Sequence, residues 1–150
     1  MISSFLSLDR DSGEFFLEGM DQARKSICAA VYKFRDPEIL DGLRRAADRG
    51  VDIRLVLDAE DARKGSSLAE EAARSGIRMR TWDPGSGKLH AKFAVIDGRT
   101  VLTGSSNWTL SARRSNVEIL IRIEEAEAVG SFGDHFERLW RESIRFEERG

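Results

Sequence analysis

The sequence predicts an α/β fold in which a central mixed, mainly parallel β-sheet is flanked by helices. Three observations carry that prediction. Strand-like apolar runs alternate with stripes of helical period through the first 82 residues. Residues 27–58 read strand, helix, strand, and a βαβ unit implies parallel neighbours. The Asp97-Gly98 pair is a two-residue hairpin signal, so the sheet also takes in an antiparallel pair. With 150 residues, 41% hydrophobic, 33% charged and only two Pro, the chain suits one ordered domain spanning 1–150.

Each element has a local reason. Residues 2–8 have strand-like content, and the Asp and Ser side chains of 9–12 cap a helix to about residue 24 with Phe15, Phe16, Met20 and Ala23 inward. Residues 27–34 read as a buried strand. Asp36-Pro37-Glu38 combines a cap with Pro at the first helical position, and Ile39, Leu40, Leu43, Ala46 and Ala47 continue as a helical stripe that Gly50 ends. Residues 51–58 alternate apolar and polar in strand fashion. Ser66 or Ser67 caps a short helix to residue 74, Gly76 stops it, and 77–82 form a strand. The turn-rich 83–88 is the candidate mobile lip. A hairpin of 89–96 and 100–103 follows, then a strand over 116–123. Last comes a helix over 126–140 with Val129, Phe132, Phe136, Leu139 and Trp140 on one side.

Composition narrows the function classes. No apolar run of 18 residues spans a membrane, and residues 1–16 lack the basic and apolar regions of a secretory signal, so a cytoplasmic protein is expected. Cys28, the single cysteine, can form neither an intrachain disulfide nor a cysteine-based zinc cluster, and its apolar neighbours favour a buried thiol. Asp58, Glu60 and Asp61 read as a carboxylate-rich loop rather than a magnesium site, so no metal and no cofactor are expected. Net charge is −2, yet residues 74–114 carry eight Lys or Arg against two Asp, which points to an anionic partner at that face.

The chemistry is concentrated in residues 89–118. On a strand over 89–96, His90 and Lys92 share a face with Ala94 and Ile96, while Leu89, Ala91, Phe93 and Val95 share the other. An imidazole and an ammonium two residues apart can grip a phosphate. Gly104-Ser105-Ser106-Asn107 follows the second hairpin strand, and small residues at a strand end let backbone N–H groups and hydroxyl or amide donors converge on an anion. Lys88 in the lip is a candidate substrate contact, and Trp108 is either a base-stacking surface or core. His135, beside the last apolar stripe with no motif around it, reads as structural.

The series His90, Lys92, Asp97, Gly104, Ser105 and Asn107, six positions within eighteen residues, resembles the HKD motif of the phospholipase D superfamily, and Glu118 is similarly placed downstream. The order of elements resembles the small, single-motif branch. The resemblance implies a phospholipase D-like fold and a metal-independent phosphodiesterase. His90 is then the catalytic imidazole, Lys92, Gly104, Ser105 and Asn107 hold the phosphate, Glu118 orients His90, and Asp97 belongs to the motif but at a turn suits a structural part. Cleaving a phosphodiester through a phosphohistidine needs one imidazole to attack and one to protonate the leaving oxygen. One chain supplies one such His, so a homodimer with a shared site is implied. The basic segment favours nucleic acid as substrate. A lipid hydrolase running the same chemistry is the enzymatic alternative, and a phosphate-binding module without turnover is the alternative of another class.

Overall fold

The computed structural model describes residues 1–147. β1 (Ile2–Leu6) leads to α1 (Ser12–Gln22), whose first turn is closed by Asp11 accepting the Glu14 N–H. β2 (Ser26–Val31) is followed by α2 (Pro37–Asp48), with Asp36 as N-cap and Pro37 at the first position. β3 (Asp52–Asp58), α3 (Ala59–Ala62), α4 (Ala69–Arg74) and β4 (Arg78–Trp82) come next. Then follow β5 (Lys92–Ile96), β6 (Thr100–Gly104), α5 (Leu110–Arg114), β7 (Ile119–Ile123), α6 (Ala126–Glu142) and β8 (Ile144–Arg145).

The eight strands form one sheet in the order β1-β7-β6-β5-β2-β3-β4-β8. Only β2–β3 and β3–β4 pair in parallel, and the other five pairings are antiparallel, which corrects the expected mainly parallel sheet. Parallel neighbours require a crossover helix, and only α2 and the α3–α4 pair provide one here. The remaining connections join antiparallel or non-adjacent strands: β1–β2, β6–β7 and β7–β8 run through α1, α5 and α6, β4–β5 through the 83–91 loop, and only β5–β6 is a tight turn. The β5–β6 turn is the expected one, with Asp97 and Gly98 both at positive φ (55° and 63°).

The sheet is covered on both faces. Phe15, Phe16 and Met20 of α1 and Ile39, Leu40 and Leu43 of α2 pack with Ala94, Ile96 and Leu102 on one side. Val129 and Phe136 of α6 pack with Phe93, Val95 and Val101 on the other. β5 thus buries both of its faces, where one buried face was expected, and the division of its side chains between them is as predicted. Each fully buried side chain of this kind contributes about 1.5–3 kcal/mol. β8, α3 and α5 lay outside the sequence expectation: β8 has two residues, α3 four and α5 five, too short to show a period. Among the described residues no helix is long and apolar enough to cross a membrane.

Candidate active site

His90 lies just before β5, at the rim of the sheet where β2 and β3 end. Leu89, beside it, is buried, and its N–H donates to Oδ1 of Asp58 at 2.9 Å. Asp58 is itself buried and accepts the Asp61 N–H at 3.0 Å as the N-cap of α3. One carboxylate therefore ties the end of β3 to the residue preceding His90. Asp61 pairs with Arg35 and, at 3.8 Å, with Lys64, so two of the three carboxylates in that loop have structural partners. No group of three or more His, Cys, Asp or Glu is placed to hold a metal ion among the described residues.

The Lys92 ammonium donates to His90 Nδ1 at 3.1 Å and to the His90 carbonyl at 2.8 Å. An ammonium has only donors, so Nδ1 accepts and the neutral ring carries its proton on Nε2. The Lys92 charge, followed by burial and the charges of Lys88 and Lys33, holds the imidazole below its ordinary range; Asp58 opposes the shift. Burial lowers Lys92 as well, against the pull of Glu118. The Tyr32 ring lies 4.9 Å from that of His90, tilted by 41°. Lys33, Lys88 and Lys92 place their ammonium groups 5.2, 5.2 and 6.0 Å from the Tyr32 ring centre. Tyr32 and Lys33 were not singled out from the sequence; their position one and two residues beyond a strand end that faces the motif is the signal that would have found them.

Asn107 joins this rim through the segment after β2. The Lys33 N–H donates to Asn107 Oδ1 at 3.2 Å, the Trp108 N–H to the Lys33 carbonyl at 3.1 Å and the Arg35 N–H to the Trp108 carbonyl at 2.8 Å. With its oxygen engaged, the amide leaves its NH2 to line a groove of about 370 Å³ that Lys33, Arg35, Thr109, Ser111 and Glu118 also line. Trp108 is 2% exposed and meets Phe16 and Phe34 edge-on, so it is core and presents no face for a base.

Two other positions act differently from expectation. The Ser105 hydroxyl donates to Glu118 and accepts the Ile119 N–H at 3.0 Å, while the Ser105 N–H donates to the Ile119 carbonyl at 3.0 Å. Its hydroxyl proton and its N–H are spoken for, so Ser105 holds Glu118 in place rather than contributing a free phosphate donor. Gly104 allows this approach: φ is 141°, and a Cβ there would lie 2.0 Å from the Ile119 carbonyl oxygen. Glu118 is 9% exposed and also receives the Asn116 amide at 3.2 Å. It makes no hydrogen bond to His90 of the same chain; Ser105 and Asn116 are its side-chain partners.

Asp97 stands apart. It lies at the opposite end of β5, roughly 20 Å from His90, and accepts the backbone N–H groups of Arg24, Lys25 and Ser26. Burial pushes its pKa up, but those three bonds and the Lys25 charge outweigh it, and the carboxyl sits below its usual range. The catalytic label carried over with the motif is therefore corrected to an architectural role. Lys88 remains in the exposed lip with its ammonium over Tyr32. His135 is exposed on α6, where it meets Ser131 and Phe132.

The basic segment 74–114 also separates in three dimensions. Arg113 is enclosed by Asp11, Asp36 and Glu38, and Arg78 is paired with Asp52 at the start of β3. Lys88 and Lys92 stay at the rim and are joined there by Lys33, from outside that segment.

An imidazole, ammonium groups and a carboxamide gathered at strand ends mark an α/β protein built to hold an anionic group. Comparison with known proteins narrows this class. The family model described as cardiolipin synthase, PLD-like domain, matches residues 16–140. The mitochondrial cardiolipin hydrolase of Xenopus tropicalis is 34% identical over 121 residues, which are 81% of this chain and 57% of that protein. A phospholipase D of Rickettsia bellii is 34% identical over 119 residues, 79% of this chain and 59% of that one. Among solved structures, the phospholipase D family member Nuc from Salmonella typhimurium superposes with a TM-score of 0.91 at 29% identity, covering 99% of both chains. The chain belongs to the phospholipase D superfamily, in which it spans little more than half the length of the curated relatives it matches.

Proposed function

We propose that this chain is a metal-independent phosphodiesterase that cleaves nucleic acid through a phosphohistidine, working as a homodimer with one shared site. The observation that carries the reading is the rim itself: His90 below its ordinary pKa, Lys92 bonded to it, and the Asn107 amide and Lys33 beside it. In the first step the Nε2 lone pair of one His90 attacks phosphorus, the bond to the leaving oxygen breaks, and the second His90 gives that oxygen its proton. In the second step this imidazole takes a proton from water, the water oxygen attacks phosphorus, and the P–N electron pair returns to Nε2. Lys92 and Asn107 from both chains meet the charge that builds on the phosphoryl oxygens.

The tautomer within one chain supports the need for a partner. With Nδ1 accepting from Lys92 the ring is set to donate a proton, whereas attack needs a bare Nε2 and an acceptor for Nδ1–H. Glu118 fits that acceptor role, and because it does not reach His90 in its own chain, the contact falls across the dimer. A cytoplasmic setting belongs to the same proposal.

Three lysine ammonium groups around the Tyr32 ring that flanks His90 favour a polyanion. A lipid phosphodiester is the second reading, because matched relatives are described as cardiolipin hydrolases. Incubating the protein with labelled DNA, RNA and cardiolipin vesicles in excess EDTA tests both readings. Nucleic-acid cleavage that persists under chelation is expected. Cleavage of vesicles alone would move the assignment to lipid, and activity lost to EDTA and restored by magnesium would refute the mechanism.

A further inference from the structure

We propose that Tyr32 is a specificity-determining positioning residue: its ring gathers the ammonium groups of Lys33, Lys88 and Lys92 beside His90, so that the site takes a diester within a chain of phosphates in preference to an isolated one. The inference rests on the nucleic-acid reading and adds which residue adapts the site to a polyanion. Tyr32 follows the last residue of β2 and is 7% exposed, so it presents no free face on which a base could stack. Its ring instead lies 4.9 Å from that of His90, and the three ammonium groups sit 5.2, 5.2 and 6.0 Å from its centre. They come from separate places: Lys33 from the segment after β2, Lys88 from the exposed lip before β5 and Lys92 from the first residue of β5.

Like charges gathered this closely repel, so an attraction must hold them. The carboxylates of this rim are engaged elsewhere: Asp58 accepts the N–H groups of Leu89 and Asp61, and Glu118 accepts from Ser105 and Asn116. The negative face of a neutral aromatic ring attracts an ammonium within about 6 Å without cancelling its charge. A carboxylate in the place of the ring would neutralise one lysine and repel a phosphate, whereas the ring does neither. Lys92 spends two donors on the His90 ring and carbonyl, which leaves its third for the scissile phosphate. Lys33 and Lys88, which the ring holds and His90 does not bond, are left for the phosphates that flank it. The Tyr32 hydroxyl adds to the tie on the lip, as the first cause that raises the Lys88 pKa.

The test places Tyr32→Leu and Tyr32→Phe in the whole chain, with circular dichroism to confirm folding. Binding of a labelled single-stranded DNA oligonucleotide is measured against salt in proteins that also carry His90→Ala, which stops cleavage. Turnover of the oligonucleotide and of bis(4-nitrophenyl) phosphate is measured with His90 intact. In Tyr32→Leu the oligonucleotide KM should rise at least about tenfold, and the slope of log affinity on log salt should lose about 1 for each lysine released. KM for the small diester should change by less than about threefold. Tyr32→Phe keeps the ring and should stay within about threefold of wild type on both substrates. Equal losses on both substrates with an unmoved salt slope would mean a merely structural role and overturn the proposal, as would equal losses in the Phe and Leu variants. If Tyr32→Leu fails to fold, the ε-methylene protons of Lys33 and Lys88 in the wild type decide by NMR: upfield positions from the ring are expected, and ordinary lysine positions overturn the proposal. A wild type that cleaves cardiolipin vesicles and no oligonucleotide overturns the nucleic-acid reading and this inference with it. A wild type that cleaves the oligonucleotide, while folded Tyr32→Leu binds it as tightly and with the same slope, overturns this inference alone.

Discussion

The two ends of β5 hold residues of one motif in opposite states. At the Asp97 end the carboxylate is saturated: three backbone N–H groups close on it, and it fastens the β5–β6 turn to the segment entering β2. At the other end His90 bonds only to its neighbour Lys92, its ring is exposed beside Tyr32, and the NH2 of Asn107 lines an open groove. The contrast separates architecture from chemistry within the motif. A polar group whose partners all belong to its own chain is fixing the fold, and one left with unspent hydrogen-bonding capacity at a rim is available to a substrate.

The largest effect that sharpens this comparison is at His90. His90→Ala should leave melting behaviour close to wild type, because the side chain is exposed, and should reduce turnover by more than about 10⁴-fold. Residual activity within tenfold of wild type would place the chemistry elsewhere. A smaller effect should appear at Lys92, whose charge is the first cause of the lowered His90 pKa. The His90 ring protons followed by NMR should titrate below about 6.5, and in Lys92→Met the midpoint should rise, because removing the neighbouring positive charge favours the imidazolium. An unmoved midpoint would mean that Lys92 does not set the protonation of His90.

The smallest effect on rate should come from Asp97→Asn, a residue type that keeps the positive φ of the turn. Loss of the charged acceptor should cost about 1 kcal/mol in urea unfolding and leave turnover of the folded protein unchanged. The folded pKa of Asp97 is depressed, so its stabilisation is complete above the unfolded value near 3.9 and is lost as pH falls through the folded value. The stability gap between wild type and variant should therefore close on acidification. A collapse of turnover with stability intact would contradict the division between the two ends of β5.

Much of the fold was legible because its elements have period. The stripes of α1, α2 and α6 and the Asp97-Gly98 turn point to one arrangement, and Asp36-Pro37 marks its own helix start. Pairing direction was less legible: the βαβ unit is a local pattern, whereas β1–β7 and β5–β2 join segments far apart in sequence. The same distance hid parts of the site. His90, Lys92 and Asn107 were singled out by spacing, but Asp58 reaches Leu89 across 31 positions and Tyr32 meets His90 from just beyond the end of β2. Ser105 was read as a phosphate donor, and Trp108 was left between base stacking and core, because a sequence does not show what a side chain's neighbours already consume.

The shared site is the central claim, and a mixed dimer of wild-type and His90→Ala chains, carrying different tags and purified through both, tests it most directly. If each site needs two imidazoles, one to attack and one to donate a proton, the mixed dimer keeps a single imidazole at its single site and loses most of its turnover. If each chain works alone, the mixed dimer retains about half of the wild-type rate, and that result would contradict the account.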